Sequence, residues 1–324
     1  MVKEMYEWKG KHVLIPGGAG FIGSMISKQL VNRGAEVCVY DDLSRGTIEN
    51  LKPIMDRIGF FDEDLRLLRS APSLFPKVDI TIDCAARISG IWGLYKDQTV
   101  FLRDNIPILL NILENVETEH YVWFSSSCVY NFDGCPLPHR EEDAKIIPKT
   151  GYDISKRFGE EIVRIYAEKK GFKYTIIRPF NVYGLGESEE SPHVITDFWN
   201  RILEEKKNPT GRFWILGSGE QTRSFTYIKD FVDAVLFLIE RGETGVFNVG
   251  TGEETRIIDL LRLMFNIAGL PFDKYTIEHR EPFKEDVRKR CPDVSKIMRL
   301  GWKPKYSLED GLREMWNEIR HKNL

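Results

Sequence analysis

The chain has 324 residues, long enough for two domains or for one large domain with an appendage. Hydrophobic residues make up 42% and aromatics 12%, as in a soluble globular protein, and 46 basic against 49 acidic residues leave a formal charge of −3. With no basic block, no apolar run of membrane-spanning length and no signal-peptide core between Met1 and Lys11, the expectation excludes nucleic-acid and membrane partners.

The first predicted element is a strand, His12-Val13-Leu14-Ile15, running into Gly17-Gly18-Ala19-Gly20-Phe21-Ile22-Gly23. A helical stretch from Ser24 to Arg33 follows, with apolar Met25, Ile26, Leu30 and Val31. A β-branched run, Val37-Cys38-Val39-Tyr40, then ends in Asp41-Asp42. This is a βαβ unit whose glycines let the backbone turn tightly and approach a pyrophosphate at a helix N-terminus. The acidic pair stands about 20 positions after the loop, where an adenosine ribose would lie. A lone Gly-x-Gly-x-x-Gly says little; flanked by strand, helix and ribose-placed acid, it predicts dinucleotide binding. Asp41 also selects the dinucleotide. A carboxylate accepts from both ribose hydroxyls and repels a 2′-phosphate, so NAD is favoured over NADP, with Arg45 close enough to soften the preference. Asp64-Leu65, after a presumed third strand, is placed to hold the adenine edge.

Strand-like and helix-like segments continue to alternate: strand Val78 to Asp83, helix Val100 to Val116, strand Tyr121 to Phe124, helix Gly151 to Lys170, strand Tyr174 to Ile177. Such alternation predicts a parallel sheet covered on both faces. In the second helix, Tyr152 and Lys156 stand four positions apart, on one face and one turn from each other. An ammonium beside a phenol favours phenolate, drawing the tyrosine pKa from about 10 toward neutrality and making it a base for a sugar alcohol. By itself this spacing is common on surface helices; its weight comes from the glycine loop before it. After Pro179 the texture changes to loops rich in Gly, Glu and Ser (Gly184 to Pro192), then a helix from Val194 to Lys206 and a strand, Phe213-Trp214-Ile215. A helix from Phe231 to Glu240 and a strand from Val246 to Val249 return to the sheet, and the stretch from Arg256 reads as helices joined by loops. The fold class is therefore α/β: a Rossmann-type doubly wound parallel sheet with a smaller C-terminal α/β substrate-binding domain. Residues 1–180, with 225–252 returning, form the NAD-binding domain; 181–224 and 253–324 form the substrate domain. Cys38, Cys84, Cys128, Cys135 and Cys291 show neither metal-ligand spacing nor a disulfide framework, so no metal is expected and a reducing cytoplasm is.

The glycine loop, the Ser-rich strand end Phe124-Ser125-Ser126-Ser127-Cys128-Val129-Tyr130, Tyr152-x-x-x-Lys156 and Arg178-Pro179-Phe180-Asn181-Val182-Tyr183-Gly184 together resemble the extended short-chain dehydrogenases/reductases. The likeness runs from about Lys11 to Leu312 and is narrowest to the nucleotide-sugar epimerases, dehydratases and 4-keto reductases. Pro16 departs from the threonine usual before the loop, which alters one backbone contact. The resemblance implies NAD held by Gly17, Gly20, Phe21, Ile22, Gly23, Asp41, Asp42, Asp64, Leu65, Ala85, Ala86, Asn105, Tyr152, Lys156 and Phe180. It implies that Ser126 hydrogen-bonds the sugar 4-hydroxyl, that Tyr152 removes its proton as the C4 hydride leaves, and that Lys156 holds the nicotinamide ribose. A strand-end serine that only caps backbone is the alternative for Ser126. Ser126, Ser127, Asn181 and Arg223 would bind the nucleotide-diphosphate sugar. Arg223 suits phosphate by its guanidinium geometry, a surface arginine being the alternative. The family's second phosphate arginine has no firm counterpart in Glu281 to Arg288, where Arg288 is the candidate. A homodimer through the Val100–Val116 and Gly151–Lys170 helices is also implied.

Dehydratases of this family carry a carboxylic acid immediately before the Val-Tyr, where this chain has Ser127-Cys128, so a lyase is disfavoured. Ser-Ser-Cys-Val-Tyr is similar to GDP-L-fucose synthase and GDP-mannose 3,5-epimerase, in which that cysteine is an acid/base at sugar carbons. His193 matches the histidine of the synthase's Ser-His-Val-Ile string, and Ala85 to Ile91 resembles that branch in the loop facing the sugar. Alone, Cys128 reads as a small buried hydrophobe and His193 as polar surface; together at matching motif positions they read as an acid/base pair. A C4 ketone acidifies the C3 and C5 protons, and inversion needs one group to remove a proton and another to supply one from the opposite face. The synthase is an NADPH reductase, which Asp41 argues against. The expectation is thus an NAD-dependent epimerase that oxidises C4, inverts C3 or C5 and reduces C4 again. The alternatives are simple 4-epimerisation of the UDP-glucose/galactose type and a 4-keto-sugar epimerase/reductase of the synthase type. A non-catalytic NAD sensor on the same fold has no need of Ser126, Tyr152 and Lys156.

Overall fold

The computed structural model describes residues 6–67, 75–88, 97–130, 134–145, 149–187, 193–282 and 287–322. The chain begins with strand β1 (His12–Pro16), helix α1 (Phe21–Asn32), β2 (Glu36–Asp41), the short α2 (Ile48–Leu51), β3 (Ile58–Asp62) and β4 (Val78–Asp83). Helix α3 (Thr99–Asn115), β5 (Thr118–Phe124), α4 (Gly151–Lys170) and β6 (Lys173–Pro179) follow. The remainder comprises β7 (Val182–Tyr183), α5 (Val194–Lys207), β8 (Arg212–Leu216), β9 (Thr222–Arg223), β10 (Thr226–Tyr227), α6 (Ile228–Glu240) and β11 (Gly245–Val249). Last come β12 (Thr255–Arg256), α7 (Ile257–Ala268), β13 (Thr276–Arg280), β14 (Lys289–Arg290), α8 (Ser295–Arg299) and α9 (Leu308–Lys322).

Seven strands form the main sheet in the order β11-β6-β5-β4-β1-β2-β3. Strands β1 to β6 pair in parallel, with Val13 beside both Val37 and Ile80. The order reverses between β1 and β4, the switch point at which doubly wound sheets bind ligands outside their strand carboxyl ends. The N–H of Cys84 donates to the carbonyl of Pro16 at 2.9 Å, stitching the ends of these two strands together. On one face of the sheet, Leu14, Tyr121 and Trp123 pack with Leu109, Ile112 and Leu113 of α3 and Val163 of α4, while β4 contributes the polar side chains of Asp79, Thr81 and Asp83 at alternate positions.

The chain divides into two compact units, Met1–Asn131 with Ala144–Pro179 and Val232–Phe247, and Phe132–Asp143 with Phe180–Phe231 and Asn248–Leu324. In the second unit the buried Asn248 amide donates to the carbonyls of His139 (2.9 Å) and Asp293 (3.2 Å), which ties in the segment ending at Asp143. The stretch after Arg256 is not helices and loops alone. Strand β13 lies parallel to β8, and β12 and β14 flank β9. Two-residue strands are too short to show a period, and β13 (Thr-Ile-Glu-His-Arg) has no buried face to reveal one. Trp199 of α5 stacks on Trp316 of α9 at 4.8 Å.

Candidate active site

Gly17 leaves β1 with φ at +72°, and a Cβ there would stand 2.7 Å from the backbone N of Ala85, so glycine is demanded twice over. Gly23 lies inside α1, which starts at Phe21 rather than Ser24; its Cβ would meet the Gly17 carbonyl oxygen at 2.3 Å. Gly20 is the N-cap and offers no side chain, and the first turn, with half-buried Phe21 and Ile22, carries no acidic residue. The helix N-terminus is thus left to an anion, as a dinucleotide pyrophosphate requires. Asp41 ends β2 with Oδ2 accepting the Ala19 N–H and Oδ1 the Leu43 N–H, both at 2.9 Å. Burial pushes its carboxyl up in spite of these two donors. The Gly20 N–H is a third backbone donor to the same carboxylate. Asp42 accepts from Ser44, and Arg45 donates to the Ile88 carbonyl at 2.8 Å.

Just after β3, where the adenine edge is expected, Arg66 grips the Asp64 carboxylate (2.8 and 2.7 Å) and holds its pKa down. The same guanidinium is 3.8 Å from Asp42 and 3.4 Å from Asp104. Leu65 buries its side chain in the sheet core, so only its backbone is left to face a ligand. Ala85 donates its N–H to Asp83 at 3.0 Å, and Ala86 is half-buried beside it. Asn105 is a strut: its amide exchanges hydrogen bonds with the Arg87 backbone (2.6 and 3.1 Å) and donates to Ser155 at 3.1 Å. Of the loop expected to face the sugar, Ser89, Gly90 and Ile91 lie outside the described residues.

Helix α4 starts where it does because the Thr150 hydroxyl caps the Asp153 N–H, and it ends at Gly171 in a left-handed turn with Lys169 and Lys170 in the last turn. This places Tyr152 in the first turn, its ring edge-on to buried Phe101 at 5.6 Å. One turn on, the Lys156 ammonium is buried, donates to the Phe124 carbonyl at 2.7 Å and sits 4.9 Å above the Trp123 ring. Burial lowers its pKa to about 8, opposed by the charges of Asp83 and Cys84. Ser126 is buried, and its Oγ accepts the Cys128 N–H at 3.1 Å, so it does cap backbone while keeping its own hydrogen to donate. Ser127, also buried, opens the short turn Ser127–Val129, which packs against α4 and carries half-buried Cys128.

In the second unit, Phe180 is fully buried and its carbonyl accepts from Thr226 at 2.8 Å. Asn181 has a left-handed φ of 38°, a conformation asparagine tolerates, and donates its amide to the Ser224 carbonyl at 2.8 Å. Arg223 reaches the carbonyls of Thr222 and Val287, both at 2.7 Å, and lies opposite Arg290 across the β9–β14 pair, with Arg288 exposed just before it. His193 is the N-cap of α5, 58% exposed, with Nδ1 hydrogen-bonded to Glu187.

Three groups escaped the sequence reading. Asp83, the last residue of β4, faces the charge of Lys156 and accepts from the Tyr121 hydroxyl at 2.7 Å; burial raises its pKa to about 6. A carboxylate closing an apolar strand was the available signal. Glu160, four after Lys156, accepts from Nε and Nη2 of Arg178, both at 2.7 Å, and from Ser125 at 2.6 Å, fastening the serine-rich loop to α4. Glu187 is the third, and loop sequence gives no sign of it. All five cysteines are free, and among the described residues no cluster of His, Cys, Asp and Glu could hold a metal and no helix is long and apolar enough to cross a membrane.

Residues 13–250 match the profile of the NAD dependent epimerase/dehydratase family. The chain is 30% identical to UDP-glucuronic acid decarboxylase 1 of Arabidopsis thaliana, over 98% of its own length and 71% of the relative's. The solved UDP-glucose 4-epimerase of Thermotoga maritima with UDP-glucose is 29% identical with a TM-score of 0.83, over 97% of this chain and 100% of that one. The Thermus thermophilus UDP-glucose 4-epimerase complex with NAD is 28% identical with a TM-score of 0.81, over 95% and 99%.

Proposed function

The chain belongs to the NAD-dependent epimerase/dehydratase family, and from that premise we infer that it is a nucleotide-sugar epimerase inverting C3 or C5 through a transient 4-ketone. NAD is the cofactor, and its nicotinamide supplies the hydride acceptor and donor. Ser126 donates a hydrogen bond to the sugar 4-hydroxyl, and Tyr152 takes the hydroxyl proton and later returns it. Lys156 supplies the positive charge that favours phenolate and a donor for the ribose. Asn181, Arg223 and Arg288 bind the diphosphate. The ketone so formed lowers the cost of removing a neighbouring C–H proton, and Cys128 and His193 serve as the acid/base pair.

One observation carries this reading. A thiol, Cys128, is anchored through its own N–H to Ser126, in a turn against the helix of Tyr152 and Lys156. Simple 4-epimerisation needs no acid/base there, and dehydration needs a carboxylic acid. The 4-epimerase reading stands second, favoured by the likeness to UDP-glucose 4-epimerases. Turnover of GDP-mannose, UDP-glucose and UDP-glucuronic acid in heavy water separates the two. Inversion at C3 or C5 puts solvent deuterium on those carbons, whereas 4-epimerisation carries hydrogen internally and leaves the product unlabelled. Cys128→Ala is expected to abolish that labelling and spare C4 oxidation. An accepted sugar nucleotide that never becomes labelled ends the C3/C5 assignment.

A further inference from the structure

We propose that Glu187 is a positioning residue for His193, holding the imidazole in the tautomer that exchanges protons through Nε2; this rests on His193 acting at C3 or C5. The Glu187 side chain is 8% exposed and that of His193 58%. One carboxylate oxygen is hydrogen-bonded to His193 Nδ1 and the other accepts the Thr196 hydroxyl, so a single turn at the start of α5 engages both oxygens. The His193 carbonyl in turn accepts the Asp197 N–H at 2.9 Å, fixing the backbone from which the ring projects. A carboxylate has no proton to give, so Nδ1 carries the hydrogen and the lone pair is on Nε2. No described residue engages Nε2, and the ring's exposure leaves that atom open to a ligand. A buried acid behind an open imidazole is the arrangement by which hydrolase triads select a tautomer, although here no nucleophile is involved.

The step balances as follows. At the carbon beside the C4 ketone, the C–H bond breaks, its electron pair passes into the enolate, and the proton bonds to Nε2. The Cys128 S–H bond then breaks to form the new C–H bond, and the proton on Nε2 goes to solvent as the thiolate regains one. The roles exchange for the reverse reaction.

Nitrogen NMR of protein labelled with ¹⁵N-histidine tests the tautomer directly, His193 being assigned by the signal lost in His193→Gln. The expected spectrum has Nδ1 protonated and Nε2 bare; a bare Nδ1 in the wild-type protein overturns the proposal without any further variant. In Glu187→Gln the amide can donate to Nδ1, so the tautomers should mix. Deuterium uptake at C3 or C5 of GDP-mannose, UDP-glucose or UDP-glucuronic acid, whichever the wild type labels, should then fall by about 10²- to 10⁴-fold. C4 oxidation, read as the transient absorbance of reduced nicotinamide, should stay within about threefold, since proton transfer from the 4-hydroxyl belongs to Tyr152. Labelled wild type with Glu187→Gln exchanging within about twofold of it removes Glu187 alone. Wild type that oxidises one of the three sugars at C4 and yet leaves it unlabelled removes the role of His193, and Glu187 with it.

Discussion

In the proposed mechanism Tyr152 depends on the charge of Lys156, which burial disfavours. Its pKa falls from the usual 10.5 to about 8, so the ammonium is intact below pH 8 and is progressively lost above it. The rate should therefore decline as pH rises past about 8, the alkaline limb of a pH–rate profile. Asp83 opposes this loss by raising the lysine pKa. In Asp83→Asn the alkaline limb should move to lower pH; a limb that stays put would show that another group titrates. Tyr152→Phe removes the base but not the fold, because the ring still meets Phe101 edge-on. We expect kcat to drop by about 10²- to 10⁴-fold with NAD affinity within about twofold. A Phe variant turning over at near the wild-type rate would contradict the assigned base.

Helix α4 can approach β5 closely only because Gly159 has no side chain. A Cβ there would stand 2.3 Å from the Trp123 ring, the same ring that underlies Lys156. Gly159→Ala should overpack the contact and cost about 1–3 kcal/mol, seen as a lowered Tm together with slower C4 oxidation. This element shows what was legible in the sequence. The Tyr152–Lys156 spacing, the glycine loop and the strand–helix alternation all follow local periods, and all stand in the structure where the pattern put them. Asp83, Glu160 and Glu187 act through partners 73, 18 and 6 positions away in the chain, which no local period encodes. The short strands β12 to β14 were missed for the opposite reason, because two to five residues at the surface carry too little pattern.

For the whole molecule, assembly turns on two exposed helical faces. Leu102 on α3 and Phe158 and Ile165 on α4 are 38%, 49% and 53% exposed, an apolar set on the two helices from which the family resemblance implies a homodimer. We expect sedimentation equilibrium to give twice the chain mass, and the Phe158→Glu, Ile165→Glu double variant to give the mass of one chain. A wild type that sediments as a monomer would refute that interface. Asp41, the acid proposed to read the ribose, has a different global consequence. Asp41 fastens the loop by accepting N–H groups from Ala19 on one side and Leu43 on the other. A change that removed this carboxylate would also leave the Ala19 and Leu43 N–H groups without their present acceptor. Any substitution at Asp41 therefore acts on the backbone as well as on the coenzyme, because it changes the acceptors that these amides find.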